Sequence, residues 1–357
     1  MKKNSHSEGK KPTIFDVARV AGVSRGTVDR VVFCRGRVSA ATREKVQEAI
    51  SRLGYTADPN ASKLASRRPR RFVCLIPHSA PEQYWAEVET GFSRAAREMA
   101  GNGISVDILH YDQNDPVSFN GCTRKILESH PDGVVTNVVF RDETARFTGE
   151  MDRAGIPYAF VDNKLDDTQA VCYYGADPRR SGELGAFLLT GGQEVPEVAM
   201  IRLERDHAGH ADPNGPRRKG FLDYLDRHSP GCVIHSVFIT PDHPEKTYAR
   251  LGAFFAEHPG VRHLAMANSR VFLLSDWLRD HPDPARHVVG FDDLKPNLDA
   301  LREGLVEFLV TRRIAQQGYL TLTTLAEAVR SGRRPAQVLH YMHMDILHRM
   351  NLDDYSE

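Results

Sequence analysis

From Arg71 onward the chain alternates between short apolar runs and longer amphipathic segments, and no other feature restricts its fold as strongly. The apolar runs have the length of buried strands, and the segments between them have the period of helices. This alternation predicts parallel β-sheets that are covered by helices on both faces. Strands are predicted at Phe72–Pro77, Ile104–Leu109, Gly133–Thr136, Tyr158–Val161, Val171–Tyr174, Val198–Leu203, Val233–Ile239, His263–Met266, Val288–Phe291 and Val306–Val310.

These strands are too numerous for one comfortable open sheet, so the sequence predicts two α/β lobes with a cleft between them. The two-lobed domain is expected to span residues 71–350. Lobe 1 is expected at about 71–164 and 293–328, and lobe 2 at about 165–292 and 329–350. Because ligands of open α/β sheets bind beyond the carboxyl ends of the strands, the cleft is the predicted binding site.

The N-terminal part has a different, all-helical pattern. Thr13 to Val20 has apolar residues at helical spacing, Gly22 interrupts the run, and Ser24 can cap a second helix that reaches about Val32. Ser39 can start a third helix, which Gly54 would end. The pattern predicts a helix-turn-helix domain at 12–57, preceded by a disordered tail at 1–11 and followed by a hinge helix and linker at 58–70.

The charges are divided along the chain although their totals balance at 47 basic and 47 acidic residues. Residues 1–71 contain 17 basic and 6 acidic side chains, whereas residues 72–357 contain 30 basic and 41 acidic ones. A basic end on an acidic body suggests that the N-terminal fifth binds a polyanion and that the remainder has another role.

Other patterns argue against several classes of protein. The five cysteines are dispersed without C-x-x-C spacing, and the 16 histidines show no metal-ligand spacing, so neither disulfides, a metal nor a cofactor is expected. The N-terminus has no signal-peptide pattern, and no apolar run approaches the roughly 18 residues of a membrane span. We therefore expect a cytoplasmic protein with no membrane partner.

A dense set of residues within 12–65 has a distinctive spacing. It comprises Asp16-Val17-Ala18, Ala21-Gly22-Val23-Ser24, Thr27-Val28, Arg30-Val31-Val32, Val38-Ser39, Thr42-Arg43, Lys45-Val46, Leu53-Gly54-Tyr55, Ala61 and Leu64-Ala65. This set resembles the N-terminus of LacI/GalR-type bacterial repressors. The resemblance implies that the second helix enters the major groove of operator DNA.

The resemblance places Arg25, Gly26 and Arg30 at positions that face base edges. An arginine fork suits guanine O6 and N7, and a good bidentate pair discriminates by about 1–3 kcal/mol. Ser24 and Thr27 are candidate phosphate contacts, or else only helix caps. Likewise, Arg43 is a candidate phosphate contact or a solvated surface group.

Two further positions bear on DNA binding. Asp29 departs from the family, which commonly has a small hydroxyl residue there. Either it accepts a hydrogen bond from a cytosine N4 amine, or it orients Arg25 or Arg30 along the helix. Asp58 to Ala65 matches the family's hinge helix, which makes Leu64 the candidate wedge in the minor groove, the alternative being a leucine packed under the second domain.

Motifs in the larger part resemble the type I periplasmic-binding-protein fold that these repressors use as a sugar sensor. They are Gly91-Phe92, Pro131-Asp132-Gly133-Val134, Gly155-Ile156-Pro157, Phe160-Val161-Asp162, Gly220-Phe221 and Val289-Gly290-Phe291-Asp292. The resemblance therefore covers nearly the whole chain. It implies that the cleft holds a sugar or a sugar derivative.

Four polar residues match positions that such sensors use, namely Asp162, Arg217, Asn268 and Asp292. Each supplies donors or acceptors that can match buried hydroxyl groups. Any one of them could instead form a turn or a salt bridge between the lobes.

Three more residues are candidate ligand contacts. Tyr84 and Trp85 follow the first strand of the larger domain and could stack on a pyranose or pack in the core. Arg312 occupies a position where relatives often have an amide that faces the cleft. There it would favour a ligand with a carboxylate or phosphate; alternatively, it faces solvent beside Arg313.

These observations favour a homodimeric transcriptional regulator, a repressor, whose affinity for double-stranded operator DNA is controlled by a small effector. The alternative is a solute-binding protein without a regulatory role, which the segment 12–65 and the lack of a secretion pattern oppose. An enzyme is not expected. The sequence has no G-x-G-x-x-G after the first strand, no Walker A loop and no G-x-S-x-G elbow.

Overall fold

The computed structural model of the chain describes residues 12–32, 38–55, 69–204 and 214–355, without the side chains of Ile14, Arg25, Asp29 and Ala40. The chain forms two compact units, Met1–Arg68 and Pro69–Glu357. The expected tail at 1–11 and nearly all of the expected hinge at 58–70, including Leu64, lie outside the described residues. No helix in the described ranges has both the length and the apolar character needed to cross a membrane.

The smaller unit contains α1 (Ile14–Ala21), α2 (Arg25–Val32) and α3 (Ala40–Leu53). Thr13 starts α1 with a capping box, because Thr13 Oγ1 accepts from Asp16 N while Thr13 N donates to Asp16 Oδ2. Gly22 has a φ of 65°, which reverses the chain between the first two helices. The helices enclose a small core of Val17, Ala18, Val28, Val46 and Ala49.

The first sheet of the larger unit consists of β1 (Arg70–Pro77), β2 (Ile104–Tyr111), β3 (Gly133–Thr136), β4 (Tyr158–Val161), β5 (Tyr173–Gly175) and β11 (Leu339–Tyr341), in the order β11-β5-β4-β3-β1-β2. All its pairings are parallel. One face packs on α4 (Tyr84–Ala100) and α12 (Ile314–Ser331), and the other on α5 (Pro116–Ser129) and α6 (Arg141–Ala154). Because both faces are covered, β1 is buried along most of its length.

The second sheet consists of β6 (Glu197–Leu203), β7 (Val233–Ile239), β8 (His263–Met266), β9 (His287–Phe291), β10 (Phe308–Thr311) and β12 (Asp345–Leu347), in the order β12-β10-β9-β8-β6-β7. Only β12 is antiparallel to its neighbour among these pairings. One face carries α7 (Pro178–Thr190) and α8 (Gly215–His228). The other carries α9 (Pro244–Glu257), a 3₁₀ turn (Val271–Leu274), α10 (Ser275–Asp280) and α11 (Lys295–Arg302).

The lobe boundaries drawn from the sequence differ from the sheets at three strands. β5 and the segment that forms β11 lie in the range expected for lobe 2 but pair within the first sheet, and β10 lies in the range expected for lobe 1 but pairs with β9. Apolar periodicity identifies a strand but not its partner, because pairing is decided by residues distant in sequence. The three-residue segments that form β11 and β12 were not predicted as strands.

Each lobe has a helix pair that glycine allows to pack closely. A Cβ added to Gly91 of α4 would lie 1.8 Å from the backbone oxygen of Ala315 in α12. In the second lobe, a Cβ added to Gly182 of α7 would lie 1.8 Å from the backbone oxygen of Arg217 in α8. These contacts leave no room for a side chain, so they fix the position of α8 and of Arg217, which it carries.

Candidate functional site

A cavity of about 600 Å³ lies at the carboxyl ends of the strands of both sheets. Its position is the one that the sequence predicts for the cleft of an open α/β domain. The described residues that line it are His78, Ser79, Gln83, Tyr84, Trp85, Gln113, Asn114, Val139, Phe140, Arg141, Asp142, Glu143, Asp162, Asn163, Asn214, Asn268, Ser269, Arg270, Phe272, Asp292, Leu294 and Arg312.

Two aspartates occupy equivalent places in the two sheets. Asp162 directly follows β4 and Asp292 directly follows β9, with φ angles of 69° and 68°. Their backbone N–H groups donate to Tyr174 and Val310 at 2.9 Å, on the neighbouring strands β5 and β10. Left-handed backbone is unfavourable for most residues and is tolerated better by aspartate, so each strand end holds a carboxylate at the cleft in a constrained conformation.

Arg312 joins these two carboxylates. Its Nη1 donates to Asp162 Oδ1 at 2.7 Å, and its Nε and Nη2 donate to the two oxygens of Asp292 at 2.9 and 3.3 Å. Arg312 lies between β10 of the second sheet and α12 of the first lobe and is only 8% exposed. Burial lowers its pKa, but the nearby carboxylates more than offset this and hold the pKa well above its usual range. Arg312 is therefore a permanent cation in the cleft.

Tyr84 completes the contacts of Asp162. Its hydroxyl donates to Asp162 Oδ1 at 2.6 Å, and the guanidinium carbon of Arg312 lies 4.9 Å from the centre of its ring. Burial raises the pKa of Tyr84 well above its usual range, so the hydroxyl stays protonated and remains a donor. Because Arg312 covers one face of Tyr84, the half-buried Trp85, whose ring meets Tyr84 edge to face at 5.1 Å, is the better placed of the two for stacking.

Arg217 supports the site from behind. It is 3% exposed and does not belong to the described lining of the cavity. Its Nη1 donates to the Ala267 carbonyl at 3.0 Å and lies 3.9 Å from Asp292 Oδ2, and its guanidinium stacks on Phe291 at 4.5 Å. Burial, followed by the charge of Arg312, lowers the pKa of Arg217 to about 10, which leaves it cationic at neutral pH. The direct ligand contact expected from the sequence remains a prediction.

Asn268 lines the cavity with one of its two polar atoms already engaged. Its Oδ1 accepts a hydrogen bond from the backbone N–H of Arg270 at 2.9 Å. The turn-forming role considered from the sequence is therefore present, and Asn268 also lies where a ligand could meet its amide.

Several lining residues were not identified from the sequence: His78, Gln113, Asn114, Phe140, Arg141, Asn163, Asn214, Arg270 and Phe272. Most of them follow the carboxyl end of a strand, and that position was the available signal. Asn163 has a structural role as well, because its Nδ2 donates to the Val138 carbonyl at 2.9 Å and so connects the loops after β3 and β4.

The candidate DNA-binding residues of α2 and α3 are only partly described. Ser24 Oγ accepts from Thr27 N at 3.2 Å and lies 2.9 Å from Thr27 Oγ1, so both residues take part in the cap of α2. Arg30, Gly26 and Arg43 are exposed. The side chains of Arg25 and Asp29, and the whole of Leu64, are outside the described part of the chain.

Comparison with known proteins agrees with this architecture. The family described as "Periplasmic binding protein domain" matches residues 73–333, and "Bacterial regulatory proteins, lacI family" matches residues 13–58. The chain is 29% identical over 233 residues to the HTH-type transcriptional regulator GntR of Pseudomonas aeruginosa, covering 65% of this chain and 64% of that protein. It is also 29% identical over 197 residues to the regulator CelR of Thermobifida fusca, covering 53% and 56%. The matches thus span less than two thirds of either relative.

Solved structures show the same fold. A putative LacI transcriptional regulator from Bacteroides fragilis superimposes with a TM-score of 0.73 at 29% identity, covering 81% of this chain and all of that one. The glucose-galactose binding protein GanP of Geobacillus stearothermophilus superimposes with a TM-score of 0.67 at 21% identity, covering 80% and 99%. At that identity the second likeness is one of fold alone.

The helix-turn-helix motif and the two-lobed sensor fold predicted from the sequence are both confirmed. The chain belongs to the lacI family of bacterial regulatory proteins, with a DNA-binding motif N-terminal to a periplasmic-binding-protein domain.

Proposed function

We propose that this chain is a cytoplasmic, homodimeric transcriptional repressor whose operator affinity is controlled by a neutral sugar in the cleft. The observation that carries the proposal is the Arg312 bridge. It connects a carboxylate of each lobe within a cavity of about 600 Å³, in a chain that also has a lacI-type helix-turn-helix. A ligand that contacts this bridge would alter a link between the lobes.

The charges around the bridge favour a neutral ligand. The positive charges of Arg217 and Arg312 equal in number the negative charges of Asp162 and Asp292. Each of the three guanidinium nitrogens of Arg312 already donates a hydrogen bond to one of these carboxylates. An anionic ligand would have to compete with these carboxylates for Arg312. The proposal therefore departs from the sequence-based idea that Arg312 selects a carboxylate or phosphate.

A polyol could instead use acceptors and donors that the bridge does not occupy. Tyr84 and Arg312 both contact Oδ1 of Asp162, so Oδ2 is the oxygen offered to a ligand hydroxyl. Asn268 and the ring of Trp85 complete a polar and an aromatic surface in the same cavity. Its volume falls in the range of about 300–1,000 Å³ that is typical of small-molecule sites.

In this proposal α2 contacts the operator, with Arg25 and Arg30 reading bases and Asp29 orienting them or reading a cytosine. Ser24 and Thr27 at the start of α2, and Arg43 of α3, would lie near phosphates. Leu64 of each hinge would enter the minor groove. Sugar and operator binding are coupled only if the sugar has different affinities for the DNA-competent and DNA-incompetent states.

The proposal can be tested with the full chain and DNA fragments from upstream of its own gene. Fluorescence anisotropy at several salt concentrations should find salt-sensitive binding that a neutral sugar changes, and a thermal-shift screen should favour neutral sugars over sugar phosphates. Arg30→Ala should weaken specific binding by roughly 5- to 150-fold, which corresponds to about 1–3 kcal/mol. The matched control is Arg52→Ala, an exposed arginine near the end of α3 that should have little effect.

Asp162→Asn separates the two activities. It should remove the response to sugar while operator binding in the absence of sugar persists. Sugar binding without any DNA binding would instead support the solute-binding alternative, and preference for an anionic effector would contradict the neutral-ligand assignment.

A further inference from the structure

Two histidines and a glutamate converge at the amino end of the second sheet, the end opposite the cleft. Glu197 is the first residue of β6, His235 lies on the adjacent strand β7, and His258 directly follows α9. These residues are 38 and 23 positions apart in sequence, so no spacing motif connects them. The fold alone brings them together.

The three side chains form a compact group. His235 Nε2 lies 2.8 Å from Glu197 Oε2, and the centres of the two imidazole rings are 4.3 Å apart. One potential ligand atom from each residue lies within 4.8 Å of the others. All three are half-buried, with 16% of the His235 side chain and 33% of the Glu197 side chain exposed. An ion from solvent can therefore reach them without unfolding the lobe.

We propose that Glu197, His235 and His258 bind a divalent transition-metal ion of the zinc type. Two imidazoles and one carboxylate are a donor set that Zn²⁺ commonly takes, with a fourth position left for water. Ca²⁺ and Mg²⁺ are a poor match, because they prefer sites made of oxygen atoms.

The three ligand atoms lie within 4.8 Å of one another, so a metal site requires each distance between them to change by about 1.4 Å or less. Metal–ligand distances of about 2.0–2.2 Å in a tetrahedral arrangement separate neighbouring ligand atoms by about 3.3–3.5 Å. The His235–Glu197 pair would therefore open from 2.8 Å by about half an ångström, which side-chain rotation can supply. The backbone around His258 is held in place, since His258 N donates to Phe254 O at 2.8 Å and Val261 N donates to His258 O at 3.2 Å.

A bound ion would link three elements of one lobe: β6, the edge strand β7 and the segment after α9. Edge strands and the ends of helices open more easily than the centre of a sheet. The expected role is therefore structural, with metal stabilising the second lobe at a distance from the Asp292 side of the cleft.

An ion pair with aromatic packing is the competing explanation. The ring of Phe254 lies 5.5 Å from that of His235 and 4.9 Å from that of His258, so the histidines also have apolar neighbours. Glu197→Gln distinguishes the two explanations, because glutamine can keep the hydrogen bond to His235 but is a much weaker metal ligand.

The test is a titration of the metal-free full chain with ZnCl₂ by calorimetry, followed by thermal unfolding. We expect one high-affinity site and, at a hundredfold excess over Kd, a Tm higher by roughly 5 °C. Glu197→Gln and His258→Gln should each weaken binding by more than about 100-fold and remove the rise in Tm. Co²⁺ should give the visible bands of a tetrahedral site in the wild-type chain but not in Glu197→Gln or His258→Gln.

The matched control is the double variant His263→Gln/His287→Gln. These histidines stack on each other at the same end of the sheet, and His287 contacts Glu307 at 2.7 Å. The control should bind zinc like the wild type. Absence of a tight site in the wild-type chain would overturn the proposal, and so would equal binding by Glu197→Gln and His258→Gln. Circular dichroism of each variant verifies that it is folded.

Discussion

The two lobes place an aspartate at the same point of the same strand order, yet they use it differently. Asp292 is 1% exposed and spends both carboxylate oxygens on Arg312, with Arg217 close behind. The Asp162 side chain is 14% exposed and accepts from both Tyr84 and Arg312 through a single oxygen. Equivalent topology therefore yields a carboxylate with both oxygens engaged in the second lobe, and in the first a carboxylate whose Oδ2 has no hydrogen bond to the described residues.

Arg312 makes more hydrogen bonds to the aspartate of the second lobe than to that of the first. Arg312 makes a two-point contact with Asp292 and a one-point contact with Asp162. A bidentate pair is stronger and more directional than a single hydrogen bond. If the lobes separate, we expect Arg312 to stay with Asp292 and to release Asp162.

The largest expected effect comes from removing the more buried aspartate. Asp292→Ala would leave Arg217 and Arg312 buried without their main counter-charge, which should lower the free energy of unfolding by about 3–5 kcal/mol. Asp162→Ala should cost clearly less, because its side chain is partly solvated. Urea unfolding followed by the fluorescence of Trp85 and Trp277 measures both. Equal losses would show that the two carboxylates are energetically equivalent.

The helix pairs of the two lobes provide a second comparison. Gly182→Ala and Gly91→Ala both force a Cβ against backbone at 1.8 Å, so each should destabilise the chain by up to about 3 kcal/mol. Only Gly182→Ala pushes on the backbone of Arg217, so only this variant should also weaken sugar binding. Calorimetric titration of both variants at a temperature where they are folded checks this. If both variants lost sugar affinity to the same extent, the position of Arg217 would not be what determines sugar binding.

A smaller effect tests the partner that only Asp162 has. Tyr84→Phe removes the hydroxyl that donates to Asp162 at 2.6 Å, and loss of a hydrogen bond to a charged group should cost about 1.5 kcal/mol. Tyr248→Phe is the control, because its hydroxyl contacts Asp280 at the surface, where loss of the contact should leave stability nearly unchanged. If stability and sugar affinity were unchanged in Tyr84→Phe, Arg312 alone would be enough to position Asp162.

The smallest expected effect is a pH dependence that belongs to the second lobe. Burial, together with the charge of His287, holds the pKa of His263 below its ordinary value of 6.5. Between these two pKa values the unfolded chain binds more protons than the folded one, so stability should fall as the pH drops below about 6.5. His263→Gln should flatten this slope in urea unfolding at pH 7.5 and pH 5.5. An unchanged slope would assign the dependence to other groups.

Many helices and strands could be predicted because they depend on local sequence patterns, such as capping residues, glycines and apolar runs. The caps at Ser24 and Ser39 and the break at Gly22 are visible in the sequence and form as expected. The strand cores of both sheets also follow from apolar runs. Membership of a sheet did not follow, and β5, β10 and β11 were assigned to the wrong lobe for that reason.

The candidate site was likewise predictable only in part. Asp162, Asp292 and Asn268 could be named because they match positions that the resembled sugar sensors use, and the structure places all three in the lining of the cavity. The sequence left the orientation of Arg312 open between cleft and solvent. It also did not show that Arg217 stacks on Phe291 beside Asp292, and the expected contact of Arg217 with the ligand remains a prediction. The sequence gives the charge of a side chain, but the groups that contact the side chain depend on which distant residues the fold brings next to it.

By itself the sequence determined the kind of protein: a basic helix-turn-helix segment, an acidic α/β body, and polar residues at strand ends. Only the tertiary structure decided that Arg312 would join the lobes, that equivalent aspartates would be unequally buried, and that Glu197, His235 and His258 would meet. The reason is physical. Helix caps and strand periods depend on residues a few positions apart. The ion pairs of the cleft and the group of metal-ligand side chains join residues that are distant in sequence, and these meet only when the whole chain is folded.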